Sequence, residues 1–151
     1  MKKKLSILKI TRDNILNSIK DLSIEQLNKI PEGFNNNIIW NVAHVVVTQQ
    51  VLVYKLSGVE PRISSGLIDK YKKGTFAIPN ISQTEIDEIK YLLKEAVNWV
   101  EEDYEKGIFK NFSEYPTSYN FVLQCTEDAI FFNNIHEALH LGYIMAMKKL
   151  V

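Results

Sequence analysis

The stretch from Ile38 to Leu56 limits this chain more than any other segment. It is 19 residues long, rich in Val and Ile, and contains neither glycine nor proline. Its composition alone reads as strand. A strand averages five or six residues, however, so the length makes this a helix running to about Ser57. It is entered through Asn35-Asn36-Asn37 and stopped by Gly58. Asn41, His44, Thr48, Gln49, Gln50 and Lys55 interrupt it too often for a membrane span. What remains is a helix buried on most of its circumference.

Three more long helices accompany it. Leu8, Ile15, Ile19 and Leu22 recur at helical spacing, with Lys9, Arg12, Asp13 and Lys20 between them, over roughly 5–21. Ser23 and Gln26 then form a small capping box ahead of Pro31-Glu32-Gly33. Ser82 and Glu85 open another helix with an S-x-x-E box, with Ile81 stapled to Ile86, and Gly107 ends it. The last begins near Thr126 and closes on Lys148 and Lys149, which suit its negative end. Only six glycines and four prolines occur in 151 residues, which favours long helices over many short strands. The fold expected is all-α, a single four-helix bundle over residues 1–151.

The connections are uneven. Helix–helix links in simple bundles run to roughly 2–8 residues, yet 24 separate the second helix from the third, Gly58 to Ile81. Such a crossover spans the full height of a bundle and makes those two helices parallel. It and the 108–122 segment are expected to lie at the mouth of a site. The Phe and Tyr residues between 109 and 132 are expected to be mostly core, with some lining a pocket.

Charge narrows the partners. Lys and Arg total 18, as do Asp and Glu. Without a basic excess, and with Arg12 and Arg62 as the only guanidinium forks, nucleic acid is not an expected partner. The one cysteine, Cys125, excludes an intrachain disulfide and a multi-cysteine zinc site, and is expected to be a buried small side chain. The opening Met1-Lys2-Lys3-Lys4 imitates a signal peptide, but Lys9, Arg12 and Asp13 break the apolar run behind it. A cytoplasmic protein with a small-molecule substrate and no membrane partner is expected.

Three histidines carry the chemistry. His136 and His140 stand four apart on one face of the last helix, and His44 lies in the buried second helix. A lone histidine is more often a core imidazole than a ligand. An i,i+4 pair with a third histidine at the same level is different. With antiparallel helices, His44 lies roughly 20 Å and the pair roughly 17 Å from their adjoining ends, so all three can hold one divalent transition metal. Asn41, Thr48, Asn133 and Tyr143 are candidate pocket or supporting residues. The string from His136 to His140 also reads HExxH, the zinc-protease motif. The 11 residues after it hold no His, Asp or Glu to supply a third ligand, and no second Glu-x-x-His exists for a di-iron site. Glu137, turned about 100° from His136, is expected at the surface or in a dimer contact rather than as a base.

Two segments carry a family resemblance. Ile38-Ile39-Trp40-Asn41-Val42-Ala43-His44 through Gly58 resembles the second helix of the DinB-like (YfiT-like) superfamily, and His136 to Ile144 is similar to its last-helix signature. The resemblance implies a four-helix bundle with a long second crossover and a triad, here His44, His136 and His140, for zinc, nickel or a similar ion. It also implies thiol-dependent chemistry with a low-molecular-weight cofactor such as bacillithiol, and commonly a homodimer; the enzyme expected is a metal-dependent thiol S-transferase or is hydrolase-like. The alternative is a non-catalytic, metal-stabilised bundle serving stress-related binding or dimerisation. No thiol-cofactor signature is visible; Arg62 is the one guanidinium in the crossover.

Overall fold

Six α-helices make up most of this computed structural model, which describes residues 1–151. They are α1 (Lys2–Ile19), α2 (Ile24–Asn28), α3 (Ile38–Gln49), α4 (Ser65–Tyr71), α5 (Gln83–Glu105) and α6 (Thr126–Met147). A two-stranded antiparallel ribbon, β1 (Tyr115–Pro116) and β2 (Val122–Leu123), precedes α6. No helix is long and apolar enough to cross a membrane.

The apolar run behaves as its length requires. Asn37 caps α3 by accepting the Trp40 N–H at 2.8 Å. Every α3 residue but Thr48 is buried. The helix then continues through a π-helical turn, Gln50–Tyr54, and a 3₁₀ turn, Lys55–Ser57. Gly58 ends it at a φ of 70°, a conformation that glycine adopts without strain. Wider π turns recur near functional sites, and this one begins two residues beyond Thr48.

Long-range bonds set the direction of each helix. Lys4 reaches the Glu127 carbonyl and Arg12 reaches Glu137, so α1 and α6 are parallel. Asn28 holds Ile81 at one end of the bundle while Tyr54 holds Asp103 at the other, so α3 and α5 are parallel too. Asn41 meets His140 and Ser57 meets Thr126, which sets α3 antiparallel to α6. The long crossover thus returns the chain along the bundle, as its length predicts, and folds α4 on the way. Around the bundle the order is α1, α6, α3, α5. Val42, Ala43, Val46, Ile86, Leu93 and Ile144 lie in the larger of two core clusters.

The caps agree with the sequence in part. The Ser23–Gln26 box forms in both directions. At α5 only half does: the Ser82 hydroxyl accepts the Glu85 N–H, but the Glu85 carboxylate turns to Lys70 at 2.5 Å and to the Tyr71 hydroxyl. Lys70 adds a full opposite charge, and the Tyr71 hydroxyl a second donor, where the cap offers a single backbone N–H, so the crossover takes the carboxylate from the cap. The aromatic segment also differs from expectation. Phe132 is buried, whereas Tyr115, Tyr119, Phe121 and Phe131 are exposed. The first three belong to a ribbon and its turn on the bundle surface, with too little mass above it to form a core, and Phe131 is on the solvent side of α6.

Candidate metal centre

α3 and α6 bring the three histidines together. The His44 ring centroid lies 5.2 Å from that of His136 and 5.0 Å from that of His140, and the α6 pair are 4.5 Å apart. One ligand atom from each lies within 4.8 Å of the other two. His44 is buried and the α6 pair half-buried.

Hydrogen bonds decide which nitrogens face inward. The His44 Nδ1–H donates to the Tyr71 carbonyl at 2.7 Å, and Trp40 stacks on that ring at 4.6 Å and 9°. The His140 Nδ1–H donates to Asn41 Oδ1 at 2.8 Å, while the Asn41 amide donates to the Asn37 carbonyl. Both rings therefore direct an Nε2 lone pair toward the centre. His136 Nε2 lies 3.2 Å from His140 Nε2, and the His136 Nδ1 is buried without a partner. Two ring nitrogens at that distance need a proton or a cation between them. Burial also holds all three imidazoles below their ordinary pKa, His140 to about 4 and His136 to about 2, both helped by neighbouring rings. Neutral imidazoles converging through Nε2 are the donor set of a divalent transition metal, and these residues fit one.

The centre opens on a cavity of about 390 Å³. Val47, Val51, Leu52 and Phe132 form its apolar wall. Lys72 and Lys73 come from the crossover, and Tyr115, Ser118 and Tyr119 from the 108–122 segment. Both segments thus stand at the mouth of the site.

The supporting residues divide. Asn41 orients His140, and Thr48 lines the cavity with its hydroxyl 3.2 Å from His44 Nε2. Tyr143 lies on the other side of His140, in a second, larger groove of about 820 Å³ with Phe34 and Trp40. Asn133 is fully buried and donates to Glu137 at 2.6 Å instead of facing the cavity.

Glu137 corrects the sequence reading. It is neither at the surface nor in a dimer contact, but 0% exposed. Arg12 grips both its oxygens, with Nη2 at 2.6 Å from Oε1 and Nε at 3.0 Å from Oε2, and donates from Nη1 to the Leu93 carbonyl. Burial raises the Glu137 pKa, and the Arg12 charge and hydrogen bonds oppose the rise. The signal was present in the sequence: Arg12 falls four residues after Leu8 and three before Ile15, on the apolar stripe itself. Cys125 is likewise not core. It occupies the cap position of α6, half-exposed, with its thiol pKa pushed up by burial. Arg62 does not line the cavity; it reaches Asp103 at 3.3 Å and covers the Trp99 ring.

A family model for the DinB superfamily matches residues 7–144. No curated protein matches the chain.

Proposed function

The chain belongs to the DinB superfamily, and from that premise we propose that it is a divalent-metal-dependent enzyme of the cytoplasm, joining a low-molecular-weight thiol to a small electrophile. The observation that carries this is the open face of the triad. No Cys, Asp or Glu joins the three histidines, and all three line the cavity. A structural site would be closed by a fourth protein ligand.

A zinc, nickel or similar ion supplies Lewis acidity there, favouring the deprotonated form of a thiol or water. The chain supplies the rest. Tyr71 and Asn41 hold the two Nδ1 protons, so the lone pairs keep their aim. Trp40 fixes the plane of His44. The apolar wall excludes water from the nucleophile. No carboxylate base faces the cavity, because Glu137 is committed to Arg12, and the hydroxyl beside an imidazole, Thr48 at 3.2 Å from His44 Nε2, loses that base once the nitrogen ligates a metal. The nucleophile therefore comes from solution, and a thiol is softer and more readily deprotonated than water. Its proton passes to solvent, sulfur forms a bond to an electrophilic carbon, and the leaving group departs with the bonding pair.

Metal analysis of purified protein beside His44→Ala tests the centre. One divalent ion per chain is expected in the wild type and a sharp loss in the variant, with helical circular dichroism little changed. Conjugation of bacillithiol, glutathione or cysteine to a chlorobimane, against His140→Ala, tests the reaction. A rate no higher than the variant's for every thiol would move the reading to hydrolysis or to the non-catalytic bundle.

A pairing function is favoured by a separate observation. From Phe131 to Ala146 the exposed residues of α6 are uncharged and, apart from the Tyr143 hydroxyl, apolar, and the only charge between Asp128 and Lys148 is the buried Glu137. Phe131, Ile135, Leu139, Tyr143 and Met145 are each between 38% and 54% exposed. Together they offer roughly 500 Å², more than half of the ~800 Å² per partner in a standard interface. Ala138, Gly142 and Ala146 recur every four residues among them, which lets a second helix approach closely. An uncharged helical face is best matched by an equally uncharged one, so the occupant proposed is a second copy, α6 against α6.

A further inference from the structure

The cavity at the triad has a lining of mixed character. The three imidazoles and an apolar wall line it, the exposed Lys72 and Lys73 line it too, and no Asp or Glu does. Lys73 has no ion pair or hydrogen bond from its side chain, and the one ionic partner of Lys72 is Asp69 at 2.7 Å. Both members of that pair are more than half exposed, and such pairs contribute little, so Lys72 is readily recruited by a ligand.

The backbone that carries these lysines is held to the triad itself. Immediately before them is Tyr71, whose carbonyl accepts the His44 Nδ1–H and whose hydroxyl donates to Glu85. The Lys72 N–H donates to the Ile68 carbonyl, closing α4. The Lys72 carbonyl in turn accepts from Thr75, whose hydroxyl receives the Trp40 indole N–H at 3.2 Å. One strap thus orients the His44 ring, supports the tryptophan stacked on it and positions two cations beyond the apolar wall. The strap is held to the site by the side chains of His44 and Trp40 and is not a free loop.

We propose that this cavity selects an anionic ligand: a small molecule with a metal-seeking thiol at one end, an apolar middle against Val47, Val51 and Phe132, and a carboxylate met by Lys72 and Lys73. This rests on the thiol reading above and adds the charge that the thiol partner carries. Lysines act here as point charges, so recognition is of charge more than of shape. It is therefore sensitive to salt.

The test uses full-length protein loaded with Co²⁺, whose absorbance reports a sulfur entering the metal's surroundings. It is titrated with 6-mercaptohexanoate, 6-mercaptohexanol and 6-aminohexanethiol at low ionic strength. The carboxylate should bind at least about tenfold more tightly than the neutral thiol, and the amine most weakly. In the Lys72→Gln/Lys73→Gln double variant the carboxylate should fall to the level of the neutral thiol, whose own affinity stays unchanged. Raising the salt should shrink the wild-type preference. Equal binding of all three thiols, or a preference that survives in the double variant, overturns the anionic subsite and leaves the thiol reading standing. A cobalt spectrum that none of the three thiols alters overturns both. The two lysines are exposed and make no core contact, so circular dichroism should confirm an intact fold in the variant.

Discussion

At the scale of the residue, Asn41 has the largest effect for its size. One amide side chain accepts the His140 Nδ1–H and donates to the Asn37 carbonyl, so it orients a ligand from within the partner helix. Removing such a support commonly costs 10–100-fold in metal affinity. Asn41→Ala should therefore weaken zinc or cobalt by roughly that factor while leaving the thermal midpoint of the metal-free protein within a few degrees. Competition against a chelator measures the first and calorimetry the second; unchanged affinity would remove Asn41 from the support of the centre. The sequence reveals Asn41, His44 and Thr48 as a stripe because they recur at helical spacing on one short stretch. Asn133 misleads because spacing places it one turn before His136 and also four residues before Glu137, and the latter neighbour claims it. Lys72 and Lys73 carry no spacing signal at all. Only the fold of the crossover brings them to the cavity.

Between elements, the Arg12–Glu137 pair joins α1 to α6 across the core, with side chains 1% and 0% exposed. Removing one partner of a buried pair leaves the other charge uncompensated and typically costs about 3–5 kcal/mol. Arg12→Leu should lower unfolding free energy in urea by about that amount. Adding Glu137→Gln should restore much of the loss, since the orphaned charge goes with it. A single variant as stable as the wild type would mean that the pair holds nothing together. This link was not legible from either helix alone, because its two residues are 125 positions apart. The elements themselves were. The four long helices, the Ser23 box and the parallel α3 and α5 follow from periodicity, caps and the length of one loop. The half-formed cap at Ser82 does not follow, since the competitor for Glu85 arrives from α4.

For the whole molecule, the apolar face of α6 sets the expected assembly. Wild-type protein should sediment as two chains of 17.5 kDa each. Ile135→Glu/Met145→Glu, which places charge in the middle of that face and spares the triad, should yield monomers of unchanged helicity. A wild type that stays monomeric at about 100 μM would remove the α6 pairing, since an interface near standard size commonly gives tighter association. The up-down-down-up course of the four long helices also bears on synthesis. His44 leaves the ribosome 92 residues before His136, an interval of roughly 5–18 seconds at ordinary elongation rates. Throughout that interval α3, apolar on nearly every side, lacks α6 to cover it, and its one imidazole has no companions. The metal centre thus becomes possible only once α6 has followed α3 out, and until then the uncovered face of α3 is the part of a growing chain most open to misassociation.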